Sequence, residues 1–397
     1  MTKLDQLIKD LCPNGVEYKK IKDICVRQKG TPITASEMKR IAKINGAVRV
    51  FAAGNTFVDT DYDDVSNVIT VPSVIVKSRG NIGFEYYDKP FTHKNEMWSY
   101  SAKDTKINLK FLYHYLQNRA DVFQKKAKTG KLPQISTPDT DNFTIPVPPI
   151  AVQNEIVRIL DTFTELTAEL TAELTARKQQ YEYYRDSLLT FDDSVPIVKL
   201  GDIAIVTKLA GFEFTKYVNY SNEGNIIALR GLNVKNGTLD LTDVKYIDNS
   251  DLSKLNRSKL HIGDMLFTYV GTIGQVALVD VENKYYLAPN VALIRSTSKQ
   301  LLPEYMKYYF QSNIFWNTQI NRLLQSSSMK NIPMEKIRKF EIPLPPLKEQ
   351  ERIVFILDRF DKLSNDISVG LPAEIKARQQ QYEYYRNKLL TFEEVKA

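Results

Sequence analysis

Few side chains here are spaced for covalent or metal chemistry. The three histidines, His93, His114 and His261, are scattered, which argues against a zinc site. Cys12 and Cys25 have no histidine nearby and are expected to be reduced, unpaired and cytoplasmic. Thr129-Gly130-Lys131 resembles the end of a P-loop, but Lys125 stands where the upstream glycine is needed. Asp280, Glu282 and Lys284 suggest a nuclease cluster, yet a chain with 25% charged residues produces such triplets by chance. The Pro-Pro pairs follow Val147 and Leu344, so neither makes the Asn- or Asp-Pro-Pro-aromatic signature of a base methyltransferase. No Gly-rich loop after a strand fits S-adenosylmethionine. What remains is non-covalent recognition. Lys plus Arg is 54 against 47 for Asp plus Glu, a net +7 that favours a polyanionic partner. No apolar run approaches the roughly 18–20 residues needed to cross a bilayer, and the N-terminus lacks a signal-peptide pattern.

The elements that must position such a surface are written twice. Ile145-Pro146-Val147-Pro148-Pro149-Ile150, with Gln153, Ile156, Asp161 and Phe163, returns 197 residues later. The second copy is Ile342-Pro343-Leu344-Pro345-Pro346-Leu347, with Gln350, Ile353, Asp358 and Phe360. Each copy leads to a tyrosine block, Gln180-Tyr181-Glu182-Tyr183-Tyr184-Arg185 and Gln381-Tyr382-Glu383-Tyr384-Tyr385-Arg386, closed by Leu-Leu-Thr-Phe. So long a period is not a solenoid; it is two domains in tandem. Val16–Ile24 reads as the strand start of the first, matched by Val195–Ile203. Between these markers short Val, Ile, Tyr and Phe runs broken by Gly and Asn give a strand-and-turn texture. Gly80-Asn81-Ile82-Gly83 matches Gly271-Thr272-Ile273-Gly274, and Gln134 matches Asn331. Helices are expected at 111–117 and 305–311. The segments around 30–75 and 210–265 have diverged, as reading surfaces on a common framework would.

Proline at each helix mouth is harmless, since the first N–H groups of a helix have no partner anyway. Val152, Ile156, Ile159, Phe163, Leu166 and Leu170 form a coiled-coil seam. Thr167-Ala168-Glu169-Leu170 is then repeated as Thr171-Ala172-Glu173-Leu174. Each unit adds about 6 Å of helix and about 40° of rotation beyond a full turn, so the repeat can act as a ruler. The second helix carries Gly370-Leu371-Pro372, which should break it. The two helices are expected to pack antiparallel, burying their seams.

With these motifs in this order, the chain resembles the DNA-specificity (S) subunit of type I restriction-modification enzymes. The Cys12-Pro13-Asn14-Gly15-Val16 start, the twice-used Pro-Pro-x-x-x-Gln and the Gln-Tyr-x-Tyr-Tyr-Arg block carry the likeness, and the Thr-Ala-Glu-Leu repeats resemble the type IC spacer. The resemblance implies an α+β chain of two duplicated mixed α/β target-recognition domains separated by two long antiparallel helices, with pseudo-two-fold symmetry. Its domains would be 1–149 and 192–346, with a spacer helix at 150–191 and a C-terminal helical region at 347–397. It implies recognition of an asymmetric bipartite double-stranded DNA site. Two modification (methyltransferase) subunits and the restriction (translocase/nuclease) subunits would be partners. No cofactor is implied for this chain; S-adenosylmethionine, ATP and Mg are expected on those partners, and the specificity subunit itself catalyses nothing.

Base readout needs paired donors and acceptors, and phosphate anchoring needs cations or hydroxyls. In the first domain these requirements point to Lys77, Ser78, Arg79 and Asn81, then Lys126, Lys128 and Lys131. In the second they point to Arg230, Asn233, Lys235 and Asn236, then Tyr269 and Thr272, then Ser327 and Lys330. Tyr181, Tyr184, Arg185, Tyr382, Tyr385 and Arg386 are candidates for partner binding. The competing reading is a coiled-coil scaffold whose duplicated domains bind protein or glycan.

Overall fold

A computed structural model of the 397-residue chain describes residues 2–127, 132–209, 214, 216–325, 331–365 and 370–395. It divides into two compact units, Met1–Leu170 with Ile375–Ala397, and Thr171–Glu374. The division falls inside the helical regions, so each unit is a strand-rich domain completed by helix.

The first unit begins with helix α1, Lys3–Leu11. Thr2 and Asp5 cap it reciprocally, each side chain accepting from the other's backbone N–H. Leu4 is its buried anchor. The turn that follows places Gly15 at φ +95°, where an added Cβ would meet the Glu393 carbonyl oxygen at 2.6 Å. Only glycine permits that approach. It allows the Val16 N–H to donate to Glu393 O (2.8 Å) and the Val395 N–H to donate to Val16 O (3.1 Å). The expected strand at 16–24 is interrupted: β1 is Tyr18–Lys20, a helical turn covers Ile21–Ile24, and β2 is Cys25–Gln28. The turn sinks Ile21 and Cys25 into the core together.

The remaining strands are β3 (Val48–Phe51), β4 (Phe57–Thr60), β5 (Ser73–Lys77), β6 (Gly83–Tyr87), β7 (Phe91–His93), β8 (Trp98–Ala102) and β9 (Thr144–Pro146). They form an antiparallel sheet ordered β2-β8-β5-β6, a three-stranded sheet β4-β3-β7 and the pair β1-β9. Helix α2, Leu109–Asn118, buries Phe111, Leu112, Tyr115 and Leu116 in the same core as β5 and β6. Helix α3 then runs from Ile150 to Leu188 without a break.

The second unit repeats the plan. Its strands are β10 (Ile197–Lys199), β11 (Ala204–Lys208), β12 (Ile227–Leu229), β13 (Val234–Lys235), β14 (Thr238–Leu239) and β15 (Lys245–Tyr246), then β16 (Met265–Thr268), β17 (Val276–Leu278), β18 (Tyr285–Leu287), β19 (Val291–Ser296) and β20 (Glu341–Pro343). The sheet β11-β19-β16-β17 matches β2-β8-β5-β6, β15-β12-β18 matches β4-β3-β7, and β10-β20 matches β1-β9. Within the three-stranded sheets, β3–β7 and β12–β18 are both parallel. Registers agree too: Cys25 faces Ala102 as Ala204 faces Ser296. The additional hairpin β13-β14 turns through Asn236 and Gly237, both at positive φ, the two-residue turn that suits twisted strands.

Helix α4, Pro303–Gln311, takes the place of α2. The C-terminal helical region is α5 (Leu347–Asn365) and α6 (Leu371–Leu389), with Pro372 in the first turn of α6. The Thr-Ala-Glu-Leu stretch lies within α3, where Leu166 is exposed and Leu170 and Leu174 are half-buried. Cys12 and Cys25 are unpaired and buried, and burial pushes the Cys25 thiol up to about 12, so it stays protonated and inert. No helix among the described residues is long and apolar enough to cross a membrane.

Candidate nucleic-acid interface

One loop is built twice. After β5, the Ile135 N–H donates to Ser78 O (3.0 Å) and the Gly80 N–H to Pro133 O (2.8 Å), bridging Arg79 to Gln134. After β16, the Ile332 N–H donates to Tyr269 O (2.9 Å), and the same kind of bridge joins Val270 to Asn331. Gly80 and Gly271 share φ +77°, and a Cβ on either would meet nothing within 4 Å. The glycines set the turn, and the backbone beside them faces open space.

The side chains on these loops have different fates. Ser78 is buried and donates to Glu96 O (2.5 Å). Lys77 donates to Asn55 Oδ1 (2.9 Å) and pairs with Glu85 (2.8 Å), so its charge is balanced within the unit. Arg79 and Asn81 are exposed, and Arg79 has no side-chain hydrogen bond or ion pair among the described residues. On the second loop, Thr272 is exposed. Tyr269 is buried, and burial raises its pKa.

Other candidates divide the same way. Lys126 is exposed, 5.9 Å from the centre of the Phe143 ring. Arg230 donates to Asp243 Oδ1 (2.9 Å) and Asp243 O (2.8 Å). Asn233 is fully buried; its amide donates to Asp240 O and Asp243 O, and its carbonyl accepts from the Arg230 N–H. Lys235 is held by Asp240 (2.5 Å), and Asn236 is exposed at its hairpin turn. Lys128, Lys131, Ser327 and Lys330 lie outside the described residues. Ser78, Asn233 and Tyr269, expected on the reading surface, are buried in this structure. Ser78 bonds to Glu96, and the partners of Asn233 lie within ten residues, at Arg230, Asp240 and Asp243; those bonds hold the exposed loops in place.

The repeated helix motifs are also framework. Gln153 is fully buried: its Oε1 accepts from the Asn108 N–H (2.8 Å), and its Nε2 donates to Lys106 O (2.8 Å) and Pro148 O (2.7 Å). Gln350 makes the same three bonds, with the Leu302 N–H (2.9 Å), Gln300 O (2.7 Å) and Pro345 O (2.8 Å). The Pro-Pro-x-x-x-Gln spacing thus clamps the start of a long helix to the loop before α2 or α4. A proline-delimited carbonyl and a glutamine one turn later are what that clamp requires.

The tyrosine blocks complete the cores. In the first unit Tyr385 stacks on Phe163 (5.5 Å, 21°), and the Tyr382 hydroxyl lies 3.4 Å from His114 Nδ1. Arg386 donates to Asn118 Oδ1 (3.0 Å). In the second, Tyr184 stacks on Phe360 (5.4 Å, 26°), while Tyr181 and Arg185 are buried. Arg185 lies 5.4 Å from the centre of the Tyr181 ring. Tyr181 and Arg185, expected to bind a partner, are packed against the second unit's core in this structure. Tyr184 stays exposed, and the most exposed members are Tyr183 and Tyr384, 70% and 62% accessible, which sequence reasoning passed over. Helical phase could have found them, because 183 lies about 200° around from 181 on a helix. Also missed was a cavity of about 510 Å³ in the second unit, between Arg230, Leu232, Val270, Thr272 and Asn290. It forms only when β12, β16 and β18 assemble.

A module made twice, holding one loop in fixed geometry and varying its side chains, defines a two-module recognition protein. Residues 13–177 and 193–377 each match the family described as type I restriction modification DNA specificity domain. A Haemophilus influenzae protein described as a type I restriction enzyme specificity subunit is 34% identical, over 80% of this chain and 82% of its own length. A type I restriction enzyme specificity subunit of Escherichia coli is 32% identical over 87% of each chain. In fold, the chain resembles the crystal structure of an M. genitalium type I S subunit, with TM-score 0.57 at 15% identity, covering 95% of this chain and 96% of that one. The chain belongs to the type I restriction-modification DNA-specificity family. Its role is DNA specificity, and the scaffold reading gives way to it.

Proposed function

We propose that the chain reads a split, asymmetric DNA site, one half with each unit, and directs methyltransferase and restriction subunits to it. The observation that carries this reading is the pair of loops at Gly80 and Gly271, alike in the glycine turn and in the bridge beside it and different in side chain. Such a pair reads two unlike half-sites from one framework. The chain contributes recognition, while S-adenosylmethionine, ATP and Mg act on the partner subunits. Two modification subunits dock on the helical regions, where Tyr183 and Tyr384 are exposed at matching positions of the two tyrosine blocks. The Thr-Ala-Glu-Leu repeats fix the gap between half-sites.

Methylation mapping tests this, with the gene intact and deleted beside its cognate modification subunit. The expected result is loss of methyladenine from one motif of two short unlike halves around a fixed gap. No change, with an active modification subunit, would count against the proposal. Binding of DNA by the complex should also weaken steeply with salt, as phosphate contacts require.

A further inference from the structure

Arg79 and Lys126 stand apart from the other described candidate cations, and of the two only Arg79 carries a guanidinium fork on one of the paired loops. Lys77, Arg230 and Lys235 each face a carboxylate of their own unit, at 2.8, 2.9 and 2.5 Å. Arg79 faces none among the described residues and is exposed. Its main chain is nonetheless fixed on both sides, by the Ser78 O and Gly80 N–H bonds across to residues 133–135 and by the Ser78 hydroxyl on Glu96 O. A side chain with no partner among the described residues, on a backbone held by segments distant in sequence, is how a reading group is presented. The guanidinium fork matches the N7 and O6 acceptors of guanine in the major groove, the commonest specific base contact. At the equivalent place the second unit carries Val270, with no donor.

Resting on the recognition reading above, we propose that Arg79 is a specificity-determining residue. It reads one guanine in the half-site recognised by the first unit, and the second unit makes no such contact at the equivalent position.

The test is methylation mapping in a host carrying the cognate modification subunit, with wild type, Arg79→Ala and Arg79→Lys. The exposed position makes a folding defect avoidable, and unchanged readout of the other half-site verifies it. Arg79→Ala should relax one G·C pair in one half-site, lowering discrimination there about five- to a hundred-fold. The other half and the gap should stay as they are. Arg79→Lys should relax the same pair, because an ammonium cannot donate as a fork. An unchanged motif in Arg79→Ala would overturn the inference. So would a uniform loss at all sites, or full rescue by lysine, since both describe a phosphate anchor. A wild-type map with no split motif dependent on this gene would instead overturn the recognition reading, and this inference with it.

Discussion

The two units agree where the chain holds itself together and differ where it faces outward. Gln153 and Gln350 make the same three hydrogen bonds, and Phe163–Tyr385 repeats as Phe360–Tyr184. On the loops, Arg79 and Asn81 are replaced by Val270 and Thr272. A third kind of position keeps its purpose and changes its chemistry. Asp161 is met by Lys110 (2.7 Å) and His114 (3.1 Å), whereas Asp358 accepts from the Tyr308 hydroxyl (2.5 Å). The framework constrains geometry and satisfied polar groups; it leaves free whatever it does not itself bond.

The comparison can be broken most sharply at the part the units share. Deleting Thr171–Leu174 shortens α3 by about 6 Å and turns it by about 40°. Methylation of the parental motif should disappear, and both half-sites should return with the gap changed by one or two base pairs, at 3.4 Å per pair. Altered half-sites would mean that the helix shapes the reading surfaces as well as spacing them.

Next in size are the glutamine clamps. Gln153→Ala and Gln350→Ala each leave one buried and two part-buried backbone groups without their partner and should destabilise their own unit by roughly 2 kcal/mol. Denaturant melts would measure both, and markedly unequal losses would end the claim that the clamps are equivalent. The ring pairs come third. Double-mutant cycles on Phe163 with Tyr385, and on Phe360 with Tyr184, should each return a coupling of about 1 kcal/mol.

The smallest effect concerns acid. Burial pushes the His93 and His114 imidazoles below their ordinary value of 6.5. The folded first unit therefore favours their neutral forms. Their contribution is complete above the unfolded value and is lost as pH falls below it towards the folded one. The second unit has Leu287 and Tyr308 at these places. Lowering pH from 7 to 5.5 should weaken the first unit more than the second, and His114→Gln should shrink the difference. Parallel acid responses in wild type would show that these histidines do not set the contrast.

Much of the fold was legible because duplication exposes it. The 197-residue offset aligned the helix mouths and the pair 134 and 331, the glycine pattern matched the Gly80 and Gly271 loops at an offset of 191, and those matches recur as the same kind of backbone bridge. The strand start at 16–24 was misread in detail, because local texture does not reveal that Ile21 and Cys25 must sink together. The candidate site was legible as a loop but not residue by residue. Composition marks Lys77, Arg79, Arg230 and Lys235 as equivalent cations, and only their neighbours separate them.

The sequence by itself determined the duplication, the helix mouths, the break before Pro372 and the turn glycines, because these depend on contiguous residues and backbone preference. Tertiary structure alone decided which charges remain available and which tyrosines are core. The Glu85 carboxylate reaches Lys77, and Asp243 reaches Arg230, only after strands pair. Likewise, residues 375–395 complete the first unit from the far end of the chain, closing on Val16 through bonds that no local pattern encodes. Burial and electrostatic neutralisation are properties of neighbours in space, and the chain order does not state them.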